Sequence, residues 1–194
     1  MRKQNGFTII EVSLVLGIAG LIFLMAFVAL PALWGTARDS ERRDDVLTFT
    51  QKLKDFQTNN NRGALPILSA AQESALNTGS KIDVIGANIT SSGTWSSTSW
   101  EGFYRDFLPK DFEDPSGTKY NLRITKCRPS GGAIDVACNE FATYDLLTEA
   151  GKNTMYVILG AVCEGSEPRS SANPRRVAVL YQMERSNSAF CANT

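Results

Sequence analysis

The pattern of hydrophobic and polar positions divides the chain near residue 33 into an apolar segment and a polar remainder. From Val12 to Leu30 the chain runs for nineteen residues without a charge. At ~1.5 Å of rise per residue this is roughly 28 Å of helix, close to the ~30 Å hydrocarbon core of a bilayer. The pattern therefore predicts a transmembrane helix over residues 7–33, longer than the apolar part of an ordinary secretory signal.

A second helical pattern follows the apolar run. Asp39 stands three and four residues before Arg42 and Arg43, a spacing that predicts ion pairs on a helix surface. The run of residues 59–63, NNNRG, predicts the end of the helix. We expect residues 34–60 to continue the first helix as an amphipathic half and to bury one apolar face against a sheet. The apolar stripe consists of Val46, Phe49, Leu53 and Phe56.

The rest of the chain is divided into a loop-rich part and a strand-rich part. Residues 61–118 are rich in Ser, Thr and Gly, and they contain two short helical patterns near residues 69–76 and 100–108, each opened by a capping serine. In residues 119–194, alternating apolar side chains predict strands. These strands are Lys119 to Lys126, Thr154 to Val162 and Val177 to Glu184. The sequence thus predicts an α+β fold in which a long N-terminal spine helix, half transmembrane and half amphipathic, packs on a small antiparallel sheet.

Composition and charge exclude several classes of function. The 194 residues carry twenty basic and twenty acidic side chains, so the net charge favours neither nucleic acid nor an acidic partner. The chain has no histidine, which removes the commonest general base and the commonest zinc ligand. It also has no nucleophile elbow and no phosphate-binding glycine loop. We therefore predict no enzymatic activity, no metal site and no cofactor.

Four cysteines in the C-terminal third, Cys127, Cys138, Cys163 and Cys191, predict disulfide bonds. None belongs to a CxxC pair, which argues against a zinc or redox motif. An even number beyond a membrane segment fits an oxidising, external compartment. In an up-and-down meander, Cys127 and Cys191 would lie at one end of the sheet and Cys163 at the other. This arrangement mildly favours Cys127–Cys191 with Cys138–Cys163 over Cys127–Cys138 with Cys163–Cys191, and all three pairings stay open.

A single carboxylate, Glu11, lies near the start of the apolar run. A lone carboxylate in hydrocarbon is costly unless it finds a partner. Glu11 is either tolerated close to the membrane interface or held for a positive charge from another chain. Arg2 and Lys3 precede the run, and this basic end predicts a cytoplasmic N-terminus with the polar remainder of the chain outside.

These N-terminal features together resemble the processing site of type IV pilins and pseudopilins. The matching features are a short basic leader over residues 1–6, the motif GFTIIE over residues 6–11, and the long apolar helix. The resemblance implies cleavage after Gly6 by a membrane-embedded prepilin peptidase and N-methylation of the new terminus at Phe7. It also implies that Glu11 pairs with the amino terminus of a neighbouring subunit during assembly.

Further residues resemble the family less specifically. In type IV pilins, glycine and proline bracket a stretch of the helix that can melt when the filament forms. The candidates here are Gly17, Gly20 and Pro31, and Pro31 lies a few residues later than the usual family proline. The stretches DPSGTKYNL and RRVAVLYQME resemble pilin-like proteins of candidate-phylum bacteria such as Saccharibacteria.

The resemblance implies a structural role. A protein of this kind is a major or minor pilin that is held in the membrane, assembled with other pilins by an inner-membrane platform, and displayed in an extracellular pilus. Such filaments serve adhesion, twitching motility or DNA uptake. The alternative is a pseudopilin of a type II secretion-like or competence machine.

Three features of the polar remainder are weaker candidates for function. A glycosylation sequon arises by chance too often to be decisive. An acidic trio is a conceivable calcium site, although a plain turn before a strand explains it better. Three arginines in a loop could contact DNA phosphates, although a solvated face is the simpler interpretation. The sequon is at Asn88, the acidic trio is Asp111, Glu113 and Asp114, and the three arginines are Arg169, Arg175 and Arg176.

Overall fold

In a computed structural model of the chain, the described residues are 6–60, 63–90, 93–128, 138, 153–184 and 189–194. They belong to two compact units, Met1–Arg38 and Asp39–Thr194. We call the second unit the head.

A single helix, α1, extends from Ile9 to Asn60 and includes Pro31. Its N-terminal part is the apolar segment, and its C-terminal part belongs to the head. The apolar stripe is fully buried, because Val46, Phe49, Leu53 and Phe56 are each 0% exposed. The long helix with an amphipathic second half is therefore confirmed.

Two short helices of the head are also confirmed: α2 (Ala70–Thr78) and α3 (Trp100–Phe107). Ser69 caps α2 in a reciprocal arrangement, in which its side chain accepts a hydrogen bond from the amide of Gln72 and the Gln72 side chain accepts one from the amide of Ser69. Ser99 caps α3 with its hydroxyl group. Both helices begin where a capping serine satisfies the first free amides.

Nine short strands lie in the described part of the head, together with a 3₁₀ helix over Gly86–Asn88. The strands are β1 (Ile82–Val84), β2 (Glu113–Asp114), β3 (Thr118–Lys119), β4 (Asn121–Lys126), β5 (Thr154–Leu159), β6 (Ala161–Glu164), β7 (Glu167–Ser170), β8 (Val177–Gln182) and β9 (Ala189–Asn193). The central sheet has five strands in the order β1-β4-β5-β8-β9, and two hairpins, β2-β3 and β6-β7, stand outside it.

The central sheet is mixed, whereas the sequence predicted a purely antiparallel one. Strands β4 and β5 run parallel, with Asn121 opposite Thr154, and the other three pairs are antiparallel. Parallel neighbours need a connection of about a dozen residues or more, and 27 residues separate the end of one strand at Lys126 from the start of the next at Thr154. Alternation of apolar residues predicts which face of a strand is buried, but it does not predict the direction of the neighbouring strand.

The strand predicted over residues 154–162 is broken at Gly160, whose φ of 73° is a left-handed conformation that favours glycine. Strand β5 therefore stops at Leu159. The chain bends, and β6 leaves the central sheet to pair with β7.

The central sheet buries both of its faces. One face packs with the apolar stripe of α1 and with α3, where Phe49 and Phe56 each meet the ring of Phe103 edge-on at 5.7 and 5.6 Å between centroids. The opposite face packs beneath β6. The alternate residues of β5 and β8 that form this second cluster are Tyr156, Ile158, Ala178 and Leu180.

The disulfide bonds are Cys127–Cys138 and Cys163–Cys191. The mild preference for Cys127–Cys191 with Cys138–Cys163 was therefore wrong. That preference assumed an up-and-down meander, in which Cys163 would follow a straight β5. Because the chain bends at Gly160, Cys163 lies on β6, which packs close to β9 and hence to Cys191.

Candidate assembly site at the N-terminus

The apolar segment of α1 leaves its side chains exposed within its own unit. In the described residues, one helix is long and apolar enough to cross a membrane, with a mean hydropathy of 2.7 over its most apolar window and none of that window buried. Phe7 is 88% exposed and Phe27 is 75% exposed. Apolar surface on this scale requires lipid or other apolar helices as its surroundings.

Glu11 forms a reciprocal capping box with Thr8 at the start of α1. The Thr8 amide and the Thr8 hydroxyl each donate a hydrogen bond to Glu11 Oε2, both at 2.9 Å. In return, the Glu11 amide donates to Thr8 Oγ1 at 3.3 Å. Because α1 begins at Ile9, Thr8 occupies the N-cap position and Glu11 the third position of the helix. A carboxylate there also interacts favourably with the positive end of the helix dipole.

The capping box leaves part of the Glu11 carboxylate available. Both Thr8 donors converge on Oε2, and within the described residues Oε1 accepts no hydrogen bond. A carboxylate oxygen in this setting can accept a charge-assisted hydrogen bond from an ammonium group. The geometry can therefore hold the carboxylate in place and still present it to a cation from outside the chain.

Sequence reasoning identified Glu11 but missed Thr8. The signal was present, since a threonine three residues before a glutamate at the start of an apolar run is the signature of a capping box. Gly6 and Phe7 lie directly ahead of Thr8. The predicted leader charges, Arg2 and Lys3, lie outside the described residues.

The helix-melting candidates lie within continuous helix. Gly17, Gly20 and Pro31 are all part of α1. A Cβ atom placed on Gly17 or Gly20 would meet no other atom within 4 Å. Local packing therefore does not explain the choice of glycine at these two positions.

The head contains a buried polar network that the sequence did not predict. Arg42 is 4% exposed and Asp39 is 8% exposed, so their predicted surface ion pair is in fact buried. Arg42 Nη1 lies 3.2 Å from Asp39 Oδ1 and 2.9 Å from Glu184 Oε2. Arg42 Nε donates to Asp114 Oδ2 at 2.7 Å. The predicted ion pair between Asp39 and Arg42 is present, but its predicted surface position was wrong, because Asp114 and Glu184, which enclose the guanidinium, are distant in the chain.

Asp114 accepts hydrogen bonds on both carboxylate oxygens. Tyr181 donates its hydroxyl proton to Oδ2 at 2.7 Å, and the Ser116 amide donates to Oδ1 at 2.9 Å. Burial by itself would raise the pKa of Asp114, but the hydrogen bonds from Arg42, Ser116 and Tyr181 outweigh it and lower the pKa to about 2. Burial, together with the hydrogen bond to the same carboxylate, raises the pKa of Tyr181.

The acidic trio is divided between one buried position and two exposed ones. Asp114 is committed to the buried network, whereas Asp111 and Glu113 are exposed. Within the described ranges, no group of three or more His, Cys, Asp or Glu residues is placed to hold a metal ion. Glu113 and Asp114 form β2, and a turn connects β2 to its partner β3. This agrees with the interpretation of the acidic trio as part of a turn before a strand.

The three arginines do not share one loop. Arg169 lies on β7 and forms a salt bridge with Glu164 on β6. Arg176 donates a hydrogen bond to the carbonyl of Thr194, and the Arg175 carbonyl accepts one from the Gln57 side chain at 3.0 Å. These contacts tie all three positions to the head itself.

Comparison with known proteins identifies the N-terminal region. A family model described as "Prokaryotic N-terminal methylation motif" matches residues 1–27. Neither a curated protein nor a solved structure matches the chain. The matched motif is the prepilin-type signal of type IV pilins and pseudopilins, and it includes Thr8 and Glu11.

The long N-terminal helix followed by a mixed, mainly antiparallel sheet is consistent with the type IV pilin fold. The chain thus carries the N-terminal signal of the type IV pilin and pseudopilin family.

Proposed function

We propose that this chain is a type IV pilus subunit that is held in the membrane by α1 and assembled into a surface filament. The observation that carries the proposal is the Glu11 carboxylate, which Thr8 holds at the start of an otherwise apolar, exposed helix. A charge in that position is costly in lipid and has no evident role in anchoring. It has a clear role if a cation from a second subunit neutralises it.

Processing would supply that cation. A prepilin peptidase cleaves after Gly6 and leaves a new amino group at Phe7, and methylation of this nitrogen keeps it positively charged. The amino group of one subunit then pairs with Glu11 of its neighbour, using the carboxylate oxygen that Thr8 leaves available. The pairing removes two isolated charges from the hydrocarbon together, which favours assembly of the helices.

Localisation and partners follow from this assignment. Before assembly, the chain is a single-pass membrane protein with its N-terminus in the cytoplasm and its head outside. The two disulfides of the head suit an oxidising compartment. The partners are other pilins, the prepilin peptidase and the inner-membrane assembly platform. The filament would serve adhesion, twitching motility or DNA uptake.

A substitution at Glu11 tests the proposal in cells that make the full chain. The Glu11→Ala variant should reach the membrane at the normal level, while its yield in the sheared surface fraction should fall at least about tenfold, because the amino group of the neighbour loses its counter-charge. Ser13→Ala is a matched control in the same turn of α1, since the Ser13 hydroxyl donates its hydrogen bond to the Ile10 carbonyl of its own helix. Equal filament yields from Glu11→Ala and the wild-type chain would contradict the assignment.

Immunogold labelling of the head separates the possible roles within the family. Label along the whole length of surface filaments identifies a major subunit, and label at the tips identifies a minor one. Label confined to the membrane contradicts a pilus role and favours a pseudopilin of a type II secretion-like or competence machine.

A further inference from the structure

The solvent side of α1 within the head carries unpaired charges of opposite sign in two separate groups. The acidic group consists of Glu41 and Asp44, which are exposed, and the basic group consists of Lys54, which is exposed, and Lys52, which is half-buried. In the part of the chain that the structure describes, none of the four belongs to an ion pair. Asp44 and Lys52 are eight residues apart, which is about 12 Å along a helix. Side chains pair within one helix at spacings of three or four, so these groups cannot neutralise each other in the same chain.

The basic group lines a groove between α1 and the edge strand β9. The groove has a volume of about 610 Å³, and no acidic side chain of the described residues lines it. Leu47 contributes an apolar patch, since it is 49% exposed, and Phe190 faces it from β9. The groove therefore combines positive charge with exposed apolar surface, and both properties suit a partner that carries carboxylates on a helix.

We propose that this groove binds the acidic group of a second copy of the chain. The inference rests on the proposed function, in which all subunits enter from one membrane with their helices pointing the same way. A second copy displaced outward by roughly 12 Å along its helix, the rise of eight residues, would place its Asp44 level with Lys52 of the first and its Glu41 about one turn nearer the membrane. Lysine side chains in a helix lean toward its N-terminus, which shortens the remaining gap.

The two surfaces of this contact are different patches of the same chain. A contact of this type is heterologous, and it repeats from copy to copy without closing into a dimer. Because each copy is also displaced along the helix, the contact cannot close into a ring and builds an open row of subunits, which is the symmetry that a filament requires. The contact supplies the head with an assembly interface of its own, separate from Glu11.

Zero-length carbodiimide cross-linking tests the contact directly. Two versions of the full-length chain with different epitope tags are expressed together, cross-linked in membranes and in the sheared surface fraction, and purified through one tag. Mass spectrometry should find peptides that join residues 41–44 of one copy to residues 52–54 of the other. Cross-links from Lys52 and Lys54 to a different protein, or none from these lysines to another copy, would overturn the proposal.

Charge reversal supplies the second test, with co-purification of the two tagged copies as the readout. Asp44→Lys alone, or Lys52→Glu with Lys54→Glu, should each lower co-purification at least about fivefold, because each reversal replaces attraction by repulsion. The combination of all three should restore it. Lys110→Glu and Asp111→Lys are matched controls on exposed residues outside the groove. Failure of the combined variant to recover would overturn the proposal.

The experiment distinguishes this inference from the proposed function. A wild-type chain that forms no surface filaments contradicts the pilus assignment, whatever the cross-links show. A wild-type chain that forms filaments without cross-links between these two groups keeps the assignment and overturns the groove contact. Equal melting temperatures of the charge variants show that the heads remain folded.

Discussion

The guanidinium of Arg42 and the carboxylate of Asp114, 72 positions apart in the chain, form a buried ion pair with Arg42 Nε and Asp114 Oδ2 2.7 Å apart. The Asp114 side chain is 0% exposed and that of Arg42 is 5% exposed. Tyr181 and Glu184, at the end of β8, bond to the same two residues. The network therefore joins three distant parts of the head: the helix α1, the β2-β3 turn and the central sheet.

Removing one partner of this pair should destabilise the head strongly. Arg42→Met leaves the Asp114 carboxylate buried without its cation, and we expect the free energy of unfolding to fall by about 3–5 kcal/mol. Chemical denaturation of the full-length chain in detergent, followed by tryptophan fluorescence, measures the change. Arg43→Met is the matched control, since Arg43 is exposed and lies over the ring of Phe190 at 5.6 Å. It should cost less than about 1 kcal/mol. Equal losses from the two substitutions would show that the buried pair adds nothing.

Acid should weaken the head through Asp114. The pKa of Asp114 is about 2 in the folded head, below the value of about 3.9 in an unfolded chain. A lowered pKa stabilises the fold above the unfolded value, and this stabilisation is lost as the pH falls from about 4 to about 2. The loss is on the order of 2 kcal/mol.

The Asp114→Asn variant is the control for the acid prediction, because it cannot titrate at this position. Its free energy of unfolding should fall less than that of the wild-type chain between pH 4 and pH 2. Burial raises the pKa of Asp45, and the Asp114 charge adds to this rise, so Asp45 opposes the effect of Asp114 and does so slightly more in the wild-type chain. Parallel pH profiles for the two proteins would contradict a role for the Asp114 carboxylate in acid stability.

The two disulfides should contribute unequally to stability. Cys163–Cys191 spans 28 positions and Cys127–Cys138 spans 11. A longer loop restricts the unfolded chain more, so replacing both cysteines of a pair by alanine should cost about 3.6 kcal/mol for the long loop and about 2.8 kcal/mol for the short one. Thermal melting of the two paired variants measures the difference, and peptide mapping without reductant checks the pairing. Peptides joined as Cys127–Cys191 would contradict the fold around β6.

The Thr8 hydroxyl should matter for assembly as well as for the helix end. Thr8→Val removes one of the two hydrogen bonds to Glu11 Oε2 and the acceptor for the Glu11 amide, while it keeps the shape of the side chain. We expect the yield of sheared filaments to fall several-fold, because the carboxylate is held less firmly. Thr8→Ser restores the hydroxyl and should assemble normally. A valine variant with full yield would show that the backbone amide of Thr8 suffices.

Features that depend on neighbours along the chain were readable from the sequence. The burial of Phe49 and Leu53 follows from a helical period of 3.6 residues, and the caps at Ser69 and Ser99 follow from residue type at a helix start. Glu11 was conspicuous for a similar reason, since one charge interrupts an apolar run. Thr8 was equally readable, because its spacing from Glu11 is that of a capping box.

Features that depend on distant parts of the chain required the tertiary structure. The spacing of Asp39 and Arg42 predicted their contact, but burial came from Asp114 and Glu184, which only the fold brings to the same place. The disulfide partner of Cys163 likewise depended on the bend at Gly160.

By itself, the sequence determined a helix long and apolar enough to cross a membrane, the N-terminal motif with Glu11, the amphipathic second half of α1 and the α+β class, because each arises from periodicity or spacing over a few helical turns or strand residues. Only the tertiary structure decided the parallel direction of β5, the disulfide pairing, the buried network around Arg42 and the groove beside β9. The physical reason is that strand direction and side-chain burial depend on which distant segments pack together, and local patterns carry no information about that choice.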